Sequence, residues 1–202
     1  GVEQATEQLA ADGIDVTVDV SYHAFQLDPT AAPGVAGPVV DAYAKKFGGY
    51  ERAEAILANV TATAAEVGLE FNMDRALRAN TLLAHRVIGL AAQPDSPVAQ
   101  DVVKERLLRA YFTDGLDIGD PDVLADCAAE VGFERAAVVD FLDSERGMSD
   151  VAAELQFAYE NGITAVPTYV VDGKWAIPGA LEPETFAQVL RKMALQSKRS
   201  GS

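Results

Sequence analysis

The segments with strand character lie near the two ends of this chain, and the patterns between them are helical. Residues 14–27, IDVTVDVSYHAFQL, begin by alternating apolar and polar side chains, which is typical of a β-strand. The next such runs are TYVV and WAI, joined through Asp172-Gly173, the signal of a type I′ hairpin. From Val39 to about Gly162 the apolar spacing predicts almost nothing but helices. An α/β fold whose small sheet is interrupted by an all-helical insertion satisfies this order.

Within that fold, we expect the sheet to combine a parallel part with the antiparallel hairpin as its edge. Residues 2–11 predict a helix, and residues 69–80 an irregular stretch with a short extended piece. Three helix starts are predicted from caps and prolines: Pro97 in a first turn, Asp120 as N-cap before Pro121, and Ser149 as N-cap. The last helix starts near Pro183, with one apolar face formed by Phe186, Val189, Leu190 and Met193.

Charge and cysteine content restrict the partners and the compartment. With 31 acidic and 16 basic residues the net charge is −15. Such a surface repels phosphate backbones and anionic membranes, so we expect neither nucleic acid nor membrane as a partner. No apolar run approaches the roughly 20 residues of a membrane span. The single cysteine, Cys127, excludes an intrachain disulfide and favours a reducing compartment, so we expect a cytoplasmic protein.

Pro167, in the stretch GITAVPTYVVDG, stands just before a predicted strand. Proline has no N–H for a ladder, so it belongs at a strand start, an edge or a bulge. It is also the residue for which a cis peptide bond is least unfavourable. Two interpretations remain open on these grounds: Pro167 starts an edge strand, or Val166-Pro167 is a cis bond that presents backbone to a ligand.

Four stretches together resemble one known family. They are SYHAFQLDP at 21–29, RANTLLAHR at 78–86, KERLLRAYFTDGLDIGDPDVLADCAAEVG at 104–132 and GITAVPTYVVDG at 162–173. In order and spacing they resemble the DsbA family, and within it the FrnE-like branch. That branch is related to 2-hydroxychromene-2-carboxylate isomerases and kappa-class glutathione transferases. The resemblance implies a thioredoxin-like fold made of residues 1–30 and 151–202, with a helical insertion domain at 31–150.

The resemblance also implies an active site in two halves. One half is the cis-proline loop, which places Pro167 in the catalytic site and Val166 and Thr168 in substrate binding. The other is a C-x-x-C motif at the start of the first helix, which the 202 residues do not contain. Because residues 2–11 look like the later part of that helix, we expect the first strand and the motif to precede Gly1, and residues 1–202 alone to be redox-inert.

The activity implied by the resemblance is thiol–disulfide exchange with a protein or small-thiol disulfide, by a monomer or homodimer. No cofactor is expected, although glutathione is a candidate co-substrate. Two alternatives stay open. One is a glutathione-dependent isomerase or transferase, in which a serine replaces the first cysteine. The other is a non-catalytic thioredoxin-like module that binds peptides.

The remaining reactive side chains favour structural roles, with one exception. Cys127 falls on the apolar face of a helix beside Asp126 and Glu130, which predicts a buried, unreactive thiol. His85 lies on the helix that faces the cleft in the related isomerases, so it is a candidate substrate-binding residue. His23 lies at the end of the predicted strand, near the cleft or simply at the strand end. No metal site is expected, because the histidines lack ligand spacing and TDGLDIGDPD, 113–122, fails the EF-hand pattern.

Overall fold

A computed structural model describes residues 2–14 and 17–200 of the chain. The chain divides into two compact units. The first joins the two ends, Gly1–Val20 and Gly162–Ser202, and the second is the continuous stretch Ser21–Asn161. A helical block is thus inserted between two parts of one unit, as the order of the sequence patterns predicts. The expected domain limits at residues 30 and 151 fall inside the second unit.

The described elements follow the predicted order of helices and hairpin. They are α1 (Val2–Ala11), β1 (Gly37–Pro38), α2 (Val39–Phe47), α3 (Tyr50–Glu66), β2 (Leu77–Arg78), α4 (Leu82–Ala91), α5 (Gln100–Arg109), a π-helical turn (Ala110–Asp114), α6 (Pro121–Glu130), α7 (Arg135–Asp143), α8 (Met148–Glu160), β3 (Thr168–Val171), β4 (Trp175–Pro178) and α9 (Pro183–Ser200). The short extended piece expected within 69–80 is β2, which pairs with β1.

The first unit is built on the packing of α1 against α9 beneath the hairpin. Its buried core joins Leu9 of α1 to Phe186 and Leu190 of α9. The ring of Tyr169, on β3, packs on Phe186 with centroids 4.8 Å apart. The apolar face predicted for α9 is therefore the face that carries the hairpin.

The hairpin turns where the sequence predicts. β3 and β4 are antiparallel, with Val171 opposite Trp175. Asp172 and Gly173 have φ values of 52° and 64°, both left-handed as a type I′ turn requires. The N–H of Lys174 closes the turn on the carbonyl of Val171 at 3.0 Å.

The predicted strand over residues 14–27 is wrong in its described part. Residues 15–16 lie outside the described residues, and residues 17–27 form no strand. Both sheets that the described chain contains are antiparallel pairs, so the expected parallel part is absent from it. Alternation records which side chains face outward, whereas a strand also needs a neighbouring backbone as hydrogen-bond partner. From residue 22 onward that backbone bonds to helix side chains instead, as described below.

Two of the predicted helix starts are also wrong. Pro97 lies in the loop before α5, which begins at Gln100. Ser149 lies inside α8, which begins at Met148 after Gly147. Gly147 has φ 75°, and a Cβ there would lie 2.9 Å from the ring of Phe141, so the close packing of that ring requires glycine.

The start of α6 follows its local sequence. A carboxylate oxygen of Asp120 accepts hydrogen bonds from the N–H groups of Asp122 at 2.8 Å and Val123 at 3.1 Å. Pro121 occupies the first turn, where its missing N–H is not needed. The N-cap prediction for Asp120 is confirmed.

The core of the second unit surrounds α4 and α6, with Val87, Val103, Leu124 and Val138 fully buried. Cys127 lies in the same cluster as a free thiol, so the prediction of a buried cysteine is confirmed. Burial raises the pKa of Cys127 more than any other influence. The charge of Arg106 opposes the rise, and nearby carboxylates add to it.

A buried arginine joins α4 to the end of α7. Arg86 is only 3% exposed. Its guanidinium donates to four backbone carbonyls, those of Phe141 (2.8 Å), Leu142 (3.1 Å), Ser144 (2.6 Å) and Arg146 (3.0 Å). Among the described residues no carboxylate forms an ion pair with it. The carbonyls at the C-terminal end of α7, where the helix dipole is negative, therefore balance the buried charge.

We expect Arg86→Lys to lower the free energy of unfolding by about 2–4 kcal/mol, because an ammonium cannot reach four carbonyls arranged around a planar guanidinium. Urea denaturation followed by circular dichroism measures this change. Arg109→Lys is the matched control, since that side chain is 71% exposed and a surface exchange changes stability by less than about 0.5 kcal/mol. Equal midpoints for the two variants would contradict the role of Arg86.

Candidate functional site

The loop before β3 presents open backbone to solvent. The Val166–Pro167 peptide bond is cis. Val166 is 47% exposed, and Pro167 is also exposed. Within the described residues, nothing hydrogen-bonds to the N–H or C=O of Val166. The backbone at this position is therefore free to bind a ligand.

Two hydrogen bonds fix the shape of this loop. The Thr168 hydroxyl donates to the carbonyl of Ala165 at 2.7 Å. The N–H of Gly179, just after β4, donates to the carbonyl of Pro167 at 2.8 Å. The loop is thus tied to both strands of the hairpin, while Val166 is left unpaired between the two ties.

The free backbone continues along one edge of the hairpin. In the described chain β3 pairs only with β4, so its other edge has no strand beside it. An edge of this kind can pair by main-chain hydrogen bonds with a further strand or with an extended peptide. Val166, Pro167 and Thr168 therefore lie together at the start of an open edge.

His85 belongs to the other unit, on α4. Its Nε2 lies 3.1 Å from the carbonyl oxygen of Phe25, which identifies Nε2 as the donor of this contact. Burial is the strongest influence on the ring and lowers the pKa of His85, against smaller opposite effects of the Phe25 carbonyl and the charge of Glu154. His85 is therefore neutral at pH 7, with its second nitrogen, Nδ1, as an acceptor.

Residues 21–27, the second half of the segment expected to be a strand, are also bound by side chains of α5 and α8. The amide of Gln100 accepts from the N–H of Tyr22 at 2.9 Å and donates to the carbonyl of the same residue at 2.8 Å. Glu154 accepts from the N–H of Ala24 at 2.6 Å. Side chains thus replace the neighbouring strand that this backbone would otherwise need.

The sequence predictions missed Gln100 and Glu154. Glu154 lies 130 residues from the N–H that it binds, and an exposed-looking acid on a helix carries no local signal of such a contact. Only the resemblance of 21–29 to a family motif indicated that this segment mattered.

Among the described residues, no group of three or more His, Cys, Asp or Glu side chains is placed to hold a metal ion. In 113–122, Asp114 accepts a hydrogen bond from Arg106 at 3.1 Å, and Asp120 is used as a helix cap. None of the helices in the described residues 2–14 and 17–200 has the length and apolar character needed to cross a membrane.

Taken together, a hairpin on two helices, a cis-proline loop and an inserted helical unit define a thioredoxin-like domain with a helical insertion. The chain belongs to the family of DSBA-like thioredoxin domains, which matches residues 2–191. The predicted family and the α/β fold class are thereby confirmed.

Individual relatives agree with this assignment. The crystal structure of a probable DsbA oxidoreductase, SCO1869 from Streptomyces coelicolor, superposes with a TM-score of 0.81 at 28% identity. The superposition covers 96% of this chain and 82% of that one. YwbO of Bacillus subtilis (strain 168), an uncharacterized protein, is 38% identical over 87 residues. That match covers 42% of this chain and 42% of YwbO, so the chain spans less than half the length of this relative.

The buried environment of His85 predicts that the stability of the fold depends on pH. Because the pKa of His85 is lower in the folded state than its ordinary value of about 6.5, the unfolded state binds the proton more strongly. The free energy of unfolding should therefore decrease as the pH falls below about 6.5, and His85 should not make it depend on pH above that value.

The variant for this test is His85→Gln, which keeps a donor for the Phe25 carbonyl. We expect it to lose less stability between pH 7 and pH 5 than the parent chain. Urea midpoints across this range, with an NMR titration of the His85 ring, measure the effect. Parallel pH dependences for the two proteins would contradict it.

Proposed function

We propose that this chain carries the substrate-binding half of a thiol–disulfide oxidoreductase of the FrnE-like branch. The observation that carries the proposal is the unpaired backbone of Val166, where the edge of β3 that faces away from β4 begins. Membership in the family of DSBA-like thioredoxin domains supports it. The neighbour from Streptomyces coelicolor, titled a probable DsbA oxidoreductase, supports the class of reaction.

In this proposal an extended substrate segment adds to the edge as a strand. The N–H and C=O of Val166 supply the first main-chain hydrogen bonds, and their spacing selects an extended peptide or glutathione. Pro167 has no N–H, so it offers no donor that would compete beside a thiolate. Thr168 acts as a positioning residue through its bond to Ala165.

The sulfur chemistry belongs to a C-x-x-C motif that is not among these 202 residues. Its thiolate attacks a substrate disulfide, a mixed disulfide forms and one substrate sulfur leaves as thiolate. The second cysteine then attacks the mixed disulfide, so the motif is oxidised as the substrate is reduced by two electrons. Cys127 cannot serve as the nucleophile, because it is buried with a raised pKa.

His85 enters the proposal as a substrate-binding residue through Nδ1, since Nε2 is engaged with Phe25. We also propose a cytoplasmic location, which rests on a lone cysteine that is reduced and buried. The substrate is a protein or small-thiol disulfide, and the protein acts as a monomer or homodimer.

Peptide binding tests the proposed edge. An extended peptide with methylated cysteines should shift the backbone NMR signals of residues 166–171. Thr168→Val should weaken binding about 2- to 10-fold, because it removes one hydrogen bond that shapes the loop, worth about 0.5–1.5 kcal/mol. Thr185→Val, on the exposed face of α9, is the matched control and should bind like the parent.

Two results would contradict the proposed edge. One is a set of shifted signals that excludes residues 166–171. The other is equal affinity for the parent, Thr168→Val and Thr185→Val.

A second test concerns the missing motif. Residues 1–202 alone should not accelerate the reduction of insulin by dithiothreitol above the uncatalysed rate, because the only thiol is buried. Turbidity of the released B chain measures the rate, with Cys127→Ser as the control. Acceleration by the parent that the control lacks would assign redox chemistry to Cys127 and overturn this part of the proposal.

A further inference from the structure

Three side chains of the Ser21–Asn161 unit form a hydrogen-bonded relay. The hydroxyl oxygen of Ser21 lies 3.0 Å from Nε2 of His23. Nδ1 of the same ring lies 2.9 Å from Oε1 of Glu154 on α8. A nucleophile, a base and an acid that orients the base follow one another in the order that defines an activated serine.

The carboxylate of this relay is itself fixed. Oε2 of Glu154 accepts from the N–H of Ala24 at 2.6 Å, so Oε1 is left to face the imidazole. An anionic acceptor at Nδ1 places the ring proton on that nitrogen. The lone pair of Nε2 then points to the hydroxyl of Ser21, as a general base requires.

The relay is open to a substrate. Ser21 is exposed, the side chain of His23 is 66% exposed and that of Glu154 is 33% exposed. Glu154 also forms part of the wall of a cavity of about 460 Å³, which is lined by apolar side chains such as Phe141 and Val151 and by charged ones such as Arg146 and Asp150. Glu154 is the member of the relay that borders this cavity.

We propose that Ser21 is a nucleophile, activated by His23 and Glu154, toward small carboxylic esters. The activity is independent of thiol chemistry and of the Val166–Thr168 loop. It would give the helical unit a catalytic site of its own.

The reaction balances without an added oxidant or metal. The Ser21 oxygen bonds to the ester carbonyl carbon as its proton passes to Nε2 of His23. The alcohol leaves with that proton, and Ser21 is acylated. Water, deprotonated by Nε2, then attacks the acyl-serine, and the proton returns to the serine oxygen as the acid leaves. The net change is ester plus water to acid plus alcohol.

The experiment uses the full 202-residue chain with a fluorophosphonate probe and with p-nitrophenyl butyrate. The probe should form one phosphonyl adduct, assigned to Ser21 by peptide mass spectrometry, with loss of fluoride. Ser21→Ala should lose the adduct. Ser149→Ala, which changes an exposed serine of α8, should keep it and hydrolyse the ester at the parental rate.

A variant of the base separates catalysis from structure. His23→Ala should slow both labelling and ester hydrolysis at least tenfold, because general-base catalysis contributes about 10²- to 10⁴-fold. Free imidazole should restore a measurable part of the rate to His23→Ala and none to Ser21→Ala. A ring that only supports the fold would not be replaced by imidazole in solution.

Three results would overturn the proposal: no adduct on Ser21 of the parent chain, labelling that His23→Ala leaves unchanged, or a rate in His23→Ala that imidazole does not raise. The first needs no variant, so it decides the question even if a substitution disturbs folding. None of these readouts involves a thiol, so their failure leaves the proposed disulfide exchange untouched.

Discussion

The hydrogen bonds that side chains make to the backbone of residues 21–27 are the constraint on which the helical unit depends. Among the described residues this segment has no neighbouring strand, and peptide groups left without partners are costly. The amide of Gln100 hydrogen-bonds to both the N–H and the carbonyl of Tyr22, as the backbone of a neighbouring strand would. Glu154 binds the N–H of the Ala24 peptide, and His85 binds the carbonyl of Phe25. Helices α4, α5 and α8 are thereby connected to this segment by hydrogen bonds between residues at least 60 positions apart in sequence.

Features set by neighbouring residues were predictable from the sequence. The turn at Asp172-Gly173 requires left-handed backbone that glycine and aspartate tolerate, and Asp120 caps a helix through atoms only two and three residues away. The sequence also predicted that Pro167 precedes a strand. Only the resemblance to a family favoured a cis bond over an edge-strand start. The unpaired backbone at Val166 is the part of the candidate site that sequence could indicate.

Features set by distant residues were not predictable. The alternation over 14–27 records outward and inward side chains, but it does not identify what the backbone will bind. Gly147, which immediately precedes α8, packs against the ring of Phe141, and Ser149 carries no local signal of that contact. Likewise, nothing local relates Glu154 to His23 across 131 residues of sequence.

The single thiol of the chain, Cys127, can report local opening of the helical unit because of its position. Cys127 is enclosed by the core of the helical unit, with a pKa above its ordinary value. A maleimide or a dye-labelled disulfide can react with it only while that core is open. The rate of modification in water therefore measures how often the helical unit opens by itself, without denaturant and without an engineered reporter group.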